Sequence, residues 1–339
     1  MNHLPVTSRI RLPEPLSIIH SLVRHDGRRA VAVGERTGQL WLLDIDPDSR
    51  SCVPSALPIH LPRNEDGRDW NVRLMTASHA LDRLLLWTDQ ARVHAISSGD
   101  VVAELWPHSE GALCLSPSGR WAIRLEEERG AVMDLDAPFP AWRETSAFHV
   151  TEGASGELEW IYLDHVDDVV AHPCEGEPLL AEEETFWLAA GCYGEVFTHQ
   201  VEGDLDVRRV PGRTRGFGGL VYDPTQLVRP FGQRHLFVLH GFGMGLAALD
   251  PATGERYDCL MRPPQRRTYA FFHRVVPCGA APLAWGTSVD GSFLWRVGDP
   301  PVRMPDAPGP VVALYPDALL SLAPDGTELL WGDLTVPPS

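Results

Sequence analysis

Residues 30–44 read AVAVGERTGQLWLLD, which is a short apolar run, a turn that carries glycine, and a second apolar run. The same unit recurs at 113–135 and at 236–250, and an apolar run at 329–331 follows an Asp-Gly turn near the end of the chain. Short apolar runs bounded by turn residues are typical of paired β-strands. Their recurrence predicts a repeat architecture built from antiparallel strands.

The turns inside the strand pairs give the number of repeats. Seven such turns divide the 339 residues into repeats of about 48 residues, near the length of known propeller blades. They lie at Gly38, Gln90, Gly130, Gly194, Met244, Gly291 and Gly326. The longest interval, from 130 to 194, predicts an insertion or a degenerate repeat.

Several turns also carry a resemblance to a known family. SPSGR at 116–120 is similar to the Ser-Pro-Asp-Gly-Arg turn of WD40 blades, and MDL at 133–135 resembles their hydrophobic-Trp-Asp-Leu strand. LDPATGE at 249–255 resembles the outer-strand turn of quinoprotein-like propellers. The Gly-His dipeptide of WD40 blades is absent, so the chain resembles a WD40-like β-propeller with degenerate repeats. The resemblance implies an all-β, seven-bladed β-propeller in which residues 1–339 form a single domain.

The two ends of the chain predict how such a ring closes. Apolar and polar residues alternate over 6–12, which indicates a lone N-terminal strand. The final unit, 311–336, has room for only about three strands. We therefore expect the N-terminal strand to complete the last blade, because this pairing would remove an open sheet edge.

Composition sets further limits on location and chemistry. No stretch reaches the roughly 18 consecutive apolar residues of a membrane span, and no secretory signal is visible, so a cytoplasmic location is expected. The six cysteines are scattered without paired spacing, which predicts reduced thiols. Every one of the 29 Lys+Arg residues is arginine, a usage typical of a GC-rich bacterial genome. The absence of lysine excludes Schiff-base chemistry.

The acidic charge is gathered in one part of the chain, residues 126–206, which we name the acidic sector. It holds 21 Asp and Glu residues against two arginines, whereas the rest of the chain holds 25 acids and 27 arginines. One interpretation is a solvated face that aids solubility. The other is a docking surface for a basic partner. The candidate docking residues are Glu126, Glu127, Glu128, Asp164, Asp167, Asp168, Glu182, Glu183 and Glu184.

Basic and aromatic loops after the acidic sector form a second candidate contact surface. Arginine clusters of this kind most simply pair with neighbouring acids. Nucleic-acid binding is disfavoured, because no aromatic residues interleave the arginines and the acidic sector repels phosphates. The candidate residues are Arg213, Arg215, Phe217, Arg266 and Arg267.

Ten of the eleven tryptophans fall into two groups by their position. Those inside predicted strands are expected to pack between blades: Trp41, Trp87, Trp187, Trp285, Trp295 and Trp331. The others lie near predicted loops or strand ends, where an exposed indole would anchor a partner: Trp70, Trp106, Trp142 and Trp160.

No arrangement in the sequence fits a catalytic, metal or cofactor site well. His165 and Asp167 would face opposite to Asp168 on one strand, so a solvated acidic loop is the favoured interpretation there. GASGE at 153–157 lacks the second glycine of a nucleophile elbow. GFGMG at 241–245 joins two predicted strands, which favours a hairpin turn over a phosphate cradle. We therefore expect no cofactor, no metal and no catalytic residue.

Two functions agree with these patterns. The first is a non-catalytic scaffold subunit of a bacterial multi-component assembly, which docks a protein with a basic surface through the acidic sector and contacts neither nucleic acid nor membrane. The second is a propeller enzyme, or a small-ligand or metal binder, that uses the central channel.

Overall fold

The computed structural model of the chain describes residues 3–20, 28–63, 74–78, 82–105, 112–116, 119–126, 129–145, 170–173, 184–190, 195–201, 207–209, 224–228, 235–240, 245–250, 255–259, 272–278, 281–288 and 291–334. Every regular element in these ranges is a β-strand. Over the same ranges, no helix has the length and apolarity to cross a membrane. The apolar runs of the sequence therefore fold as strands, as predicted.

The described residues form seven four-stranded antiparallel sheets. The first strand of the chain, β1 (Val6–Arg11), belongs to the last of these sheets. Sheet 1 contains β2 (Leu16–His20), β3 (Arg29–Gly34), β4 (Gln39–Asp46) and β5 (Ser51–His60). Sheet 2 contains β6 (Leu74–Ser78), β7 (Arg83–Trp87), β8 (Ala91–Ala95) and β9 (Val101–Leu105). Sheet 3 contains β10 (Ala112–Leu115), β11 (Trp121–Glu126), β12 (Arg129–Asp134) and β13 (Arg143–Thr145).

The second half of the chain repeats this order. Sheet 4 contains β14 (Val170–Pro173), β15 (Glu184–Ala190), β16 (Glu195–Val201) and β17 (Val207–Arg209). Sheet 5 contains β18 (Pro224–Val228), β19 (Leu236–His240), β20 (Gly245–Asp250) and β21 (Glu255–Cys259). Sheet 6 contains β22 (Phe272–Pro277), β23 (Leu283–Ser288), β24 (Gly291–Arg296) and β25 (Val302–Met304). Sheet 7 contains β26 (Val311–Leu314), β27 (Ala318–Leu322), β28 (Glu328–Asp333) and β1.

One backbone hydrogen bond recurs at the same place in sheets 1, 2, 3, 6 and 7. The residue at the end of the third strand donates its N–H to the carbonyl of the residue just before the second strand, where the strands of sheet 7 are counted from β26. The donor and acceptor pairs are Ile45 and Arg28, Ile96 and Asp82, Leu135 and Arg120, Val297 and Pro282, and Leu334 and Asp317. The repeat seen in the sequence is therefore also a repeat of local geometry.

Sheets 1, 2, 6 and 7 each pack on both of their neighbours through apolar side chains. In β7, Leu84 and Leu86 pack with side chains of sheet 1, whereas Leu85 packs with side chains of sheet 3. Successive strand residues point to opposite faces, so a strand with a sheet on either side can be apolar at consecutive positions, as β7 is at Leu84, Leu85 and Leu86. Buried clusters of this kind join sheets 1 and 2, 2 and 3, 5 and 6, 6 and 7, and 7 and 1.

The N-terminal strand lies in the sheet formed by the end of the chain. β1 pairs antiparallel with β28, and Ile10 stands opposite Leu329. Across the same pair, Arg9 Nη1 lies 3.0 Å from Glu328 Oε2. The strand expected at 6–12 is thus present and pairs with the segment 311–336, as predicted.

A turn of sheet 7 also contacts sheet 1, and we name this contact the 7–1 junction. Leu16 N donates to Gly326 O at 2.8 Å. Gly326 has a φ of +72°, and a Cβ atom at this position would lie 2.5 Å from Leu16 O. Beside it, Arg50 Nη2 lies 2.6 Å from Asp333 Oδ1 of β28. A backbone hydrogen bond and an ion pair therefore join the first and last sheets, whose backbones approach closely at Gly326.

The loop that leads from β1 to β2 is fastened to sheet 1 by Glu14. Its Oε1 accepts hydrogen bonds from Trp41 Nε1 at 3.0 Å and from Thr37 Oγ1 at 2.8 Å. Glu14 therefore connects the loop after β1 to β4 and to the turn before it. This arrangement fixes the path of the chain where it passes from the last sheet to the first.

Candidate interaction surfaces

Most of the residues predicted to bind a partner lie outside the described residues. Glu126 ends β11, opposite Arg129 of β12, and Glu184 begins β15. The remaining acidic candidates fall outside: Glu127, Glu128, Asp164, Asp167, Asp168, Glu182 and Glu183. The loop candidates fall outside as well: Arg213, Arg215, Phe217, Arg266 and Arg267. Docking through these residues stays a prediction.

One exposed aromatic residue in the acidic sector was missed by the sequence analysis. Phe139 lies in the loop between β12 and β13, and 92% of its surface is exposed. It is the centre of the apolar segment APFPA at 137–141. Trp142, an expected exposed anchor of the same loop, is instead half-buried. The signal was present, because prolines on both sides of an aromatic residue disfavour a central strand.

The loop that carries Phe139 is held at both ends. At its start, Asp136 N donates to Asp134 Oδ1 at 3.0 Å, and the Asp136 carboxylate pairs with Arg83 Nη2 at 3.1 Å. At its end, Trp142 packs against the apolar cluster between sheets 2 and 3. The guanidinium of Arg124 lies 4.9 Å from the centre of the Trp142 ring, within cation–π range. Phe139 is therefore displayed on a fixed loop.

A pocket of about 270 Å³ lies between sheets 6 and 7, and we name it the Trp285 pocket. Trp285 and Val311 contribute apolar walls, and Thr287, Ser292 and Asp306 contribute polar groups. Trp285 is 1% exposed, and its indole Nε1 has no hydrogen-bond partner in the protein. An unused buried donor carries a desolvation cost of about 1–3 kcal/mol. One wall of the pocket therefore belongs to an indole whose N–H is buried without a partner and out of reach of solvent.

A second pocket, of about 300 Å³, lies between sheets 1 and 2. His94, His60 and Arg92 are among its lining residues. His94 Nδ1 lies 3.0 Å from the carbonyl oxygen of Gly99, so the geometry assigns the Nδ1 hydrogen to this bond and leaves Nε2 as an acceptor in the neutral ring. Arg92 Nε lies 3.4 Å from Glu104 Oε1, so the charge of this arginine is already paired.

In the described part of the chain no metal site is found, and two buried thiols are unreactive. No group of three or more His, Cys, Asp or Glu side chains is placed to hold a metal ion in this part of the chain. Cys52, Cys259 and Cys278 are buried and form no disulfide. Burial, aided by the charge of Asp44, raises the pKa of Cys52 to about 12. Burial, aided by the charge of Asp258, raises the pKa of Cys259 to about 12. Both thiols are protonated at neutral pH and are poor nucleophiles.

Comparison with solved structures identifies the arrangement of the sheets. The β-propeller domain of Cps50 (Swd1) from Myceliophteria thermophila superposes with a TM-score of 0.54 at 12% identity, over 97% of this chain and 99% of that chain. The chain has the WD40-like β-propeller fold. A chain of the mitotic checkpoint complex matches this propeller with a TM-score of 0.51 at 13% identity, over 99% of this chain and 97% of that chain.

The WD40 domain of SCAP from fission yeast is also similar to this propeller, with a TM-score of 0.51 at 10% identity, over 81% of this chain and 67% of that chain. No family model matches the sequence, and no curated protein does. At these identities the likeness defines the fold alone. The all-β propeller implied by the turn motifs is confirmed over nearly the whole chain.

Proposed function

We propose that this propeller is a non-catalytic scaffold subunit of a bacterial multi-component assembly and docks a protein partner through the Phe139 loop and the acidic sector. The observation that carries the proposal is the 92% exposure of Phe139 on a loop held at both ends. Burying a phenylalanine side chain is worth about 1.5–3 kcal/mol. Aromatic residues are enriched at protein interfaces, and a ring displayed in this way is suited to such burial.

The anchoring of the loop lowers the cost of binding. An interface loop that is mobile before binding loses conformational entropy when a partner orders it. Here the Asp136–Arg83 ion pair and the packing of Trp142 already fix both ends. More of the energy gained by burying Phe139 is then available for affinity.

The negative charge of the acidic sector favours a partner with a basic surface. Phe139 lies within the acidic sector, which contains 21 acidic residues and only two arginines. Concentrated negative charge attracts a basic surface and repels nucleic acid. The partner we propose is therefore a protein that presents an apolar cavity for Phe139, surrounded by arginine or lysine.

The seven sheets are, in this proposal, seven blades of one closed cytoplasmic domain that β1 completes. The β1–β28 pairing and the 7–1 junction support the closure. The buried cluster that joins sheets 7 and 1 supports it further. A closed propeller keeps its surface loops in fixed relative positions, as a docking platform requires. The similar chain from the mitotic checkpoint complex is itself part of an assembly, which agrees with a scaffold role for the fold.

Site-specific cross-linking tests the docking. The photoreactive residue p-benzoylphenylalanine is placed at position 139 in the native host, and at Val53, an exposed residue of β5, as the control. We expect one protein to cross-link through position 139 and not through position 53, at a peptide rich in basic residues. With the purified pair, Phe139→Ala should weaken binding about tenfold or more, since a tenfold change corresponds to about 1.4 kcal/mol.

Two further measurements separate docking from folding. Phe139→Ala should leave the melting temperature unchanged, because the ring contributes little to the core. Raising the salt concentration should weaken the complex, because exposed charges are screened. Equal cross-linking from both positions, or undiminished binding by Phe139→Ala, would contradict the proposal.

A further inference from the structure

The pocket between sheets 1 and 2, which we name the His94 pocket, is lined by a histidine with one free ring nitrogen. His94 is 9% exposed, and its Nδ1 lies 3.0 Å from the carbonyl oxygen of Gly99. Among the described residues its Nε2 has no hydrogen-bond partner, and unlike Trp285 Nε1 it is not sealed from solvent. In the neutral ring this nitrogen is an acceptor. The pocket therefore contains a fixed acceptor that a ligand can reach.

A hydrogen-bond donor lies on the same face of β8. Arg92 and His94 are two residues apart on this strand, so their side chains point to the same side of sheet 2. Arg92 Nη2 donates to Gln90 Oε1 in the turn before β8, and Arg92 Nε lies 3.4 Å from Glu104 Oε1. These contacts fix the guanidinium and leave Nη1 as a donor. A donor and an acceptor thus stand side by side in the pocket.

The apolar floor of the pocket is held in place by sheet 1. Ile59 of β5 and Leu86 of β7 line the pocket and belong to the buried cluster that joins the two sheets. The carbonyl of Ile59 accepts a hydrogen bond from Gln39 Nε2 at 3.2 Å. Just after it, Leu61 N donates to Gly38 O at 2.8 Å. The pocket is therefore formed before any ligand binds.

The charges around the pocket favour a neutral ligand. The guanidinium of Arg92 opposes the entry of a cation. Its charge is already paired with Glu104, and the exposed Asp89 adds a second acid to the lining, so an anion is not favoured either. A hydroxyl group is uncharged and both donates and accepts hydrogen bonds. Hydroxyl groups therefore match the donor and the acceptor on β8.

We propose that the His94 pocket binds a small neutral molecule, of about the size of a monosaccharide, that carries at least two hydroxyl groups. One hydroxyl donates to His94 Nε2, and another accepts from Arg92 Nη1. The carbon skeleton of the ligand contacts Ile59 and Leu86. The volume of about 300 Å³ is at the lower end of the range for ligand pockets, which suits a molecule of this size.

This site is independent of the docking proposed above. It lies between sheets 1 and 2, whereas Phe139 follows β12 of sheet 3. Loss of partner binding by Phe139→Ala would leave the pocket intact. Failure of ligand binding at the pocket would likewise leave the docking proposal standing.

Two matched probes test the pocket on the full native chain. cis-1,2-Cyclohexanediol supplies two hydroxyl groups, and cis-1,2-difluorocyclohexane has nearly the same shape without a donor. We expect the diol to shift the imidazole resonances of His94 saturably in NMR spectra, and the difluoride to bind at least fivefold more weakly. Diethyl pyrocarbonate, which acylates accessible neutral imidazoles, should label His94 in the folded chain. The diol should slow this labelling at least threefold, as tandem mass spectrometry can show.

Two substitutions of His94 assign the acceptor. The amide of His94→Asn reaches the Gly99 carbonyl but not the position of Nε2, so this variant should bind the diol at least fivefold more weakly and no better than the difluoride. The longer amide of His94→Gln reaches that position and should bind the diol more tightly than His94→Asn. His3→Asn, at an exposed histidine of another segment, is the control and should change neither affinity.

The labelling of the native chain keeps the test decisive if a substitution at position 94 prevents folding. Absence of His94 labelling in the folded chain would show that Nε2 is out of reach and would overturn the proposal. Equal affinity for the two probes, or undiminished diol binding by His94→Asn, would overturn it as well.

Discussion

From the 7–1 junction we predict that replacing Gly326 lowers the stability of the protein. Replacing this glycine by alanine places a Cβ atom 2.5 Å from Leu16 O and 3.0 Å from Leu16 N. The substitution also puts an L-residue at a φ of +72°. The same substitution at Gly298, where φ is +91°, meets no atom within 4 Å. The two variants share the backbone strain and differ in the contact with sheet 1.

The expected loss of stability is the sum of two contributions, the backbone strain at positive φ and the contact with Leu16. Left-handed backbone in an L-residue costs roughly 1–2 kcal/mol, and this is the whole expected effect of Gly298→Ala. Gly326→Ala adds about 1–3 kcal/mol of overpacking and about 1 kcal/mol for the weakened Leu16–Gly326 hydrogen bond. We therefore expect Gly326→Ala to be the more destabilising by about 2–4 kcal/mol.

Urea unfolding measures this difference as a shift in the midpoint at constant slope. Limited proteolysis of the two variants checks where the damage lies, with cleavage expected near residues 12–16 only in Gly326→Ala. A difference below about 0.5 kcal/mol, the scatter of neutral surface substitutions, would refute the reasoning. It would mean that the turn at 325–326 does not hold sheet 7 against sheet 1.

Three other predictions concern single side chains. Glu14→Ala should lower the free energy of unfolding by about 1–3 kcal/mol, because it removes the acceptor of the Trp41 indole, and Glu14→Gln should cost less because it keeps an oxygen. Hydrogen bonds from the backbone N–H and the hydroxyl of Thr327 lower the pKa of Asp325, so the stability that this carboxylate contributes should be present above about pH 4 and lost as the pH falls through the lowered value. In urea unfolding, Asp325→Asn should differ from the native chain at pH 6, and the difference should shrink as the pH falls. Cys52 and Cys259, with pKa values raised to about 12, should resist iodoacetamide at pH 8 until the chain unfolds, as mass spectrometry of the labelled peptides can show.

For each of these three predictions, one experimental result would contradict it. Equal destabilisation by Ala and Gln at position 14 would show that the negative charge of the carboxylate matters, and that an oxygen acceptor alone does not suffice. A constant difference between Asp325→Asn and the native chain from pH 6 to pH 2 would show that the carboxylate gains nothing from its hydrogen bonds. Alkylation of Cys52 in the folded protein would show that the outer strand β5 opens.

Much of the fold was predictable because strand signals are local. Alternating or continuous apolar runs and glycine-bearing turns predicted β-strands, and the alternation at 6–12 predicted the lone strand that became β1. The shortness of the final unit then predicted its partner. The register of that pairing, with Ile10 opposite Leu329, was not predictable, because it depends on side chains of two distant segments packing in one sheet.

The candidate sites were predicted less well, because exposure is a property of the packed molecule. The sequence singled out Trp142 as an exposed anchor, yet this ring packs against the cluster between sheets 2 and 3 and leaves Phe139 exposed. The Trp285 pocket combines Trp285 with Asp306, two residues on different segments with no motif between them. The acidic sector was recognised from composition alone, and the place of its acids on the propeller stays a prediction.

The sequence by itself determined that this chain is a repeat of antiparallel strands, with its negative charge gathered in one sector and its ends paired. These features follow from local alternation, turn chemistry and counts of charge, which need no partner elsewhere in the chain. Only the tertiary structure decided which aromatic rings are buried, which donor is left unused, and where the first sheet meets the last. Those outcomes depend on how apolar faces from separate segments pack together, and one set of local patterns is compatible with many such packings.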